Sequence, residues 1–83
     1  MPPAWTRRIL LVEDQQILRL LVAQSLRGAG FEVSDHPDAA SALAAAEDFD
    51  ADVLVTDIDL GSRPDGTQLA VILRAAQPEL VVV

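Results

Sequence analysis

Three acids that follow short apolar runs carry the chemistry this chain has to offer. Val53-Leu54-Val55-Thr56 ends in Asp57-Ile58-Asp59, and Ile9-Leu10-Leu11-Val12 ends in Glu13-Asp14. Carboxylates ligate hard divalent cations through oxygen, move protons, or attack electrophilic centres as nucleophiles. A lone acid just past a strand more often does none of these and simply caps a loop. Two acid-terminated strands shift the balance. Strands of one parallel sheet bring their carboxyl ends to a common edge, where open α/β folds bind their ligands. If the two runs are neighbouring strands, Glu13, Asp14 and Asp57 share one pocket, in which one of them could serve as a chemical acceptor.

The elements that must position these acids alternate in period. Ile9–Val12 is a buried-type strand. From Gln15, the residues Ile17, Leu18, Leu21, Val22 and Leu26 recur at helical spacing, with Arg27 in the last turn and Gly28 or Gly30 as the left-handed stop. Phe31–Ser34 alternates apolar and polar as a half-exposed strand does, and His36-Pro37 breaks it. Asp38 is an N-cap for an alanine-rich helix over Ala39–Glu47. Leu43 is that helix's only large apolar residue, so its packing face is shallow. Phe49 anchors the turn into the strand Val53–Thr56. The breaker-rich loop Gly61–Gly66 leads to a helix starting at Thr67 and carrying Leu69, Ala70, Ile72 and Leu73; Pro78 ends it, and Leu80–Val83 is a last strand. The order βαβαβαβ predicts a parallel sheet with right-handed crossovers and helices on both faces.

Composition excludes several function classes. The chain has 83 residues, 51% of them apolar, which gives one globular domain near the low end for a self-sufficient core. A net charge of −7 argues against nucleic acid or an anionic membrane as direct partner. All six cations are arginine. With no cysteine, disulfides and thiolate metal sites are excluded. No stretch reads as a signal peptide or a membrane span, so a soluble, cytoplasmic protein is expected. Residues 1–7, with two prolines and Trp5, read as a disordered leader. His36 reads as a surface loop residue, and Asp35, Asp38, Glu47, Asp48, Asp50 and Asp52 as solvated loop and cap charges. Arg63 lies close enough in sequence to the acids to contact a phosphate.

Several of these segments together resemble the receiver domains of response regulators. They are Val12-Glu13-Asp14, the helix text from Ile17-Leu18-Arg19 to Leu26-Arg27, Gly30-Phe31-Glu32-Val33, Thr56-Asp57-Ile58-Asp59-Leu60 and Pro64-Asp65-Gly66. No single motif is specific; their joint spacing, from about Arg8 to Val83, is. The resemblance implies a flavodoxin-like doubly wound parallel α/β sheet of strand order 2-1-3-4. It implies Asp57 as phosphoacceptor, with Mg²⁺ held by Asp14 directly, by Glu13 through water, by Asp57 and by the backbone carbonyl of Asp59. A histidine kinase or a histidine phosphotransfer protein is the implied partner. Enzyme activity is expected to extend no further than self-catalysed phosphorylation and dephosphorylation of Asp57.

This chain departs from the family pattern at several points. Gly61 stands where the family has proline, and the loop to Asp65-Gly66 is one residue longer. The family also places a Ser or Thr at the end of strand four and a Lys at the end of strand five; neither falls within residues 8–83, and there is no lysine. A partial receiver without the last helices and strand five is therefore expected. Its switching would be impaired, and it would self-associate through the strand-four edge or an uncovered apolar face on the first helix. Two alternatives stand beside this. One is an interaction module or phosphate sink that does not switch. The other is a haloacid-dehalogenase-like phosphatase, whose nucleophile and acid–base pair Asp57-Ile58-Asp59 resembles; that family carries its motif on the first strand, not the third.

Overall fold

The computed structural model describes residues 7–57 and 65–83. Its elements are β1 (Arg8–Val12), α1 (Gln16–Gly28), β2 (Glu32–His36), α2 (Ala39–Phe49), β3 (Val53–Thr56), α3 (Gly66–Ala76) and β4 (Val81–Val82). The four strands form one sheet in the order β2-β1-β3-β4, every neighbouring pair parallel. The expected alternation and strand order are both present. Trp5 and the rest of the leader to Thr6 lie outside the described residues, as do Asp59, Arg63 and the other residues of 58–64.

Pleating of the central strand sorts the core into two layers. Leu10 and Val12 face Ala39 and Ala42 of α2, Leu54 of β3, Leu69 of α3 and Leu80. Ile9 and Leu11 face the opposite way, toward Ala23 of α1 and Val33 of β2. With both faces of β1 covered, an unbroken apolar run is what its sequence must be. The shallow face expected of α2 is real: its buried residues are two alanines, and Leu43 packs at the margin of the layer.

Capping explains most of the element ends. Asp38 accepts the Ser41 backbone N–H at 2.8 Å and the Ser41 hydroxyl at 2.7 Å. Asp65 and Gln68 form a reciprocal capping box, which starts α3 at Gly66, one residue before the expected Thr67. Gly30 adopts φ 99° and supplies the left-handed stop after α1, while Gly28 stays helical. Two boundaries differ further from expectation. β2 continues through His36, because His36 pairs in register with Val12 and its carbonyl accepts the Glu13 N–H at 3.0 Å. His36 is therefore a half-buried strand residue and not a loop residue. α2 runs on to Phe49 and closes on Asp50 in the left-handed region at φ 58°.

The amino end of the sheet is closed by charge. The Arg8 side chain donates to Glu32 at 3.0 Å and to the Phe49 carbonyl at 2.8 Å, and its guanidinium lies over the Phe49 ring. The Arg8 backbone N–H donates to the Asp52 carboxylate at 2.9 Å. Asp52 is thus a pairing residue and not the solvated charge expected from sequence. Among the described residues, no helix is long and apolar enough to cross a membrane.

Candidate functional site

Register places the acids. β1 and β3 pair with Val12 level with Thr56. The chain therefore leaves the sheet at Glu13 and Asp57 side by side, one strand spacing or about 4.8 Å apart. Glu13, Asp14 and Asp57 each offer a carboxylate oxygen, and these three atoms lie within 4.8 Å of one another. Glu13 is half-buried; Asp14 and Asp57 are exposed. The structure brings together three of the four residues singled out from sequence. Asp59, the fourth, lies outside the described residues.

The turn that carries Glu13 and Asp14 is held from several sides. The Glu13 N–H is bound by the His36 carbonyl of β2. The Glu13 carbonyl accepts the Arg19 Nη1 at 2.9 Å, and the Glu13 carboxylate accepts the Gln15 N–H at 3.0 Å. Gln15 is the N-cap of α1 and makes no capping bond with its own side chain. The Glu13 carboxylate instead meets the first free N–H of the helix, where the helix dipole favours a negative charge. On β3, the Thr56 hydroxyl donates to the Asp57 carbonyl at 3.0 Å.

An apolar recess of about 270 Å³ adjoins the acids, lined by Leu18 and Val22 of α1 and Val55 of β3, among others, with Glu13 and Asp57 at its polar end. Among the described residues, no ion pair involves Glu13, Asp14 or Asp57. The donor set is all oxygen and all anionic, which suits a hard divalent cation. An octahedral Mg²⁺ with bonds of about 2.1 Å holds oxygens about 3 Å apart when adjacent and about 4.2 Å apart when opposite. Carboxylate oxygens already within 4.8 Å fit that geometry with small side-chain rotations, or with water in one position.

Sequence reasoning missed the support behind the site. Asp35 is not a solvated charge; it pairs with Arg27 at 2.9 Å and with Arg19 at 3.7 Å. The hydroxyl of Ser34 and Nε2 of His36 lie 2.7 Å apart, and burial pushes the His36 imidazole below its ordinary pKa against the opposing pull of Asp35 and Asp38. No local signal marks the two Asp35 pairs, because each joins α1 to β2.

The family model of the response regulator receiver domain matches residues 9–83. The chain belongs to the receiver-domain family. The Mycobacterium tuberculosis probable transcriptional regulatory protein TcrX is 37% identical over 76 residues, 89% of this chain. The chain spans only 31% of the length of that relative. A CheY-like response regulator receiver domain protein from Methanospirillum hungatei superposes with a TM-score of 0.85 at 27% identity, over 93% of this chain and 61% of its own. The response regulator TrrA of Thermotoga maritima, solved in complex with Mg²⁺-BeF, superposes with a TM-score of 0.84 at 23% identity, over 93% of this chain and 66% of its own. TrrA has also been solved in complex with the histidine kinase ThkA, and there the TM-score is 0.80 at the same identity and coverage. The fold is thus the flavodoxin-like α/β arrangement of these receiver structures.

Proposed function

We propose that this receiver domain accepts a phosphoryl group on Asp57, with Mg²⁺ held directly by Asp14, through water by Glu13, and by Asp57 itself. The observation that carries this reading is the convergence of three carboxylate oxygens within 4.8 Å at the level ends of β1 and β3. When bound, the divalent cation offsets the mutual repulsion of the acids and stabilises the charge that develops on the transferring phosphoryl group. Asp57 is the exposed acid on its strand and has no ion-pair partner among the described residues, so its carboxylate is free to approach phosphorus. The new bond forms between an Asp57 oxygen and phosphorus while the bond from phosphorus to the donor breaks. The donor is the phosphohistidine of a histidine kinase or of a histidine phosphotransfer protein; the complex of TrrA with a histidine kinase supports that class of partner. The backbone carbonyl of Asp59 is a further ligand under the same reading. The chemistry at Asp57 extends no further than the gain and hydrolytic loss of this group. Incubation with acetyl phosphate and Mg²⁺ tests it: the chain gains the mass of one phosphoryl group, and Asp57→Ala gains none.

Exposed apolar residues elsewhere support a second property, self-association of the 83-residue chain. Val81 and Val83 at the β4 edge are 55% and 74% exposed, and Ile17 and Leu21 on α1 are 75% and 57% exposed. Apolar patches of this kind mark interaction surfaces. Sedimentation over a range of concentrations reads it directly; a monomer throughout contradicts it.

A further inference from the structure

The guanidinium of Arg19 is the most enclosed of the three that form ion pairs among the described residues. Its side chain is 15% exposed, against 49% for Arg27 and 40% for Arg8. Enclosing a cation costs free energy unless it is paired and hydrogen-bonded. Arg19 meets that requirement on two sides. Its Nη1 donates to the Glu13 carbonyl at 2.9 Å, and its Nε lies 3.7 Å from Asp35 of β2. Asp35 is in turn fixed by Arg27, whose Nη2 donates both to Asp35 and to the Val33 carbonyl at 2.9 Å. The chain of contacts runs from the β1–α1 turn, along α1, to two residues of β2.

The atom at its end matters most. The Glu13 carbonyl and the Asp14 N–H belong to one planar peptide unit. Holding that carbonyl sets the direction in which Asp14 leaves the turn. The Glu13 N–H is separately bound to His36. The two peptide planes flanking Glu13 are therefore fixed by different elements, one by β2 and one by Arg19.

We propose that Arg19, tethered by Asp35, is a positioning residue for the cation site, and that it raises divalent-cation affinity by fixing the peptide between Glu13 and Asp14. This rests on the reading of Glu13, Asp14 and Asp57 as a cation site. The sign of its effect separates it from simpler roles. Arg19 carries a positive charge close to the turn, so electrostatics alone predicts that removing it tightens Mg²⁺ binding. A residue that only stabilises the fold leaves the affinity of the folded protein unchanged. Positioning predicts weaker binding despite the lost repulsion, on the scale of outer-shell metal partners, about tenfold or more.

The test is a Mg²⁺ titration by calorimetry at fixed ionic strength, on the unaltered chain, Arg19→Met, Arg19→Lys and Asp14→Asn, with urea unfolding of each variant alongside. The expected order of affinity is unaltered chain, then Arg19→Lys, then Arg19→Met. Lysine keeps the charge and one donor but loses the fork that reaches both Glu13 and Asp35. Should Arg19→Met not fold, Arg19→Lys alone decides, and an unchanged affinity overturns the proposal. Equal or tighter binding by folded Arg19→Met overturns it while leaving the cation site intact. Binding that is absent from the unaltered chain, or unaffected by Asp14→Asn, overturns the cation site and this proposal together.

Discussion

At the amino ends of β1 and β3, the Arg8 side chain binds Glu32 and the Phe49 carbonyl, and the Arg8 backbone N–H binds the Asp52 carboxylate. At the carboxyl ends of the same two strands, Glu13, Asp14 and Asp57 converge and no ion pair engages them among the described residues. One end of the sheet uses charge to close the fold. The other accumulates charge of one sign, and the nearby Arg19 neutralises none of the three carboxylates but binds the backbone of their turn instead. Repulsion left standing at one rim, beside engaged charges at the other, is what a cation-dependent site requires of a domain that must also stay folded without its ion.

The contrast predicts opposite signs for charge removal at the two ends. Arg8→Ala loses the bond to the Phe49 carbonyl and the ring contact, along with a part-exposed ion pair that adds little. It lowers stability by about 1–2 kcal/mol, read as a fall in the urea midpoint at unchanged slope. Asp14→Asn, measured without divalent cation, raises stability by about 0.5 kcal/mol through relief of like-charge repulsion. Destabilisation by Asp14→Asn would show that its carboxylate is engaged in holding the fold, and the contrast would collapse.

Asp38 provides the smallest and most selective comparison. It follows β2 at the same end of the sheet as the three acids, yet it has its own donors. The Ser41 hydroxyl, and then the Ser41 N–H, hold its carboxyl below the ordinary value of 3.8. A depressed carboxyl contributes stability that is present above 3.8 and lost as pH falls through the lower folded value. Asp38→Asn keeps an acceptor for the helix cap. It is expected to leave neutral-pH stability nearly unchanged and to flatten this part of the acid limb, as followed by circular dichroism from neutral pH to pH 2.

How much of this was legible in the sequence depended on whether the signal was local. Acid-terminated strands, the helical period of α1 and the Asp38 cap each lie within a few residues, and they gave the strand order's ingredients and all three described site acids. The period of α1 did not reveal depth. Ile17 and Leu21 sit on the apolar stripe yet are exposed, while the small Ala23 is the buried contact. His36-Pro37 looked like a strand break because proline discourages further pairing, but the register with Val12 carries β2 through His36. Asp35 read as a solvated charge, and Arg27 only as the basic residue of the last turn of α1. The meeting of Arg19, Arg27 and Asp35 depends on how α1 packs against β2, which no spacing within one element encodes.

Urea unfolding with and without Mg²⁺ tests the shared pocket most directly. An ion bound only by the folded state stabilises it by RT ln(1 + [L]/Kd), about 2.7 kcal/mol at a hundredfold excess over Kd. The account predicts a gain of that size for the unaltered chain, and its disappearance in both Asp14→Asn and Asp57→Asn. A gain that persists in either variant would mean that these acids do not hold one ion between them.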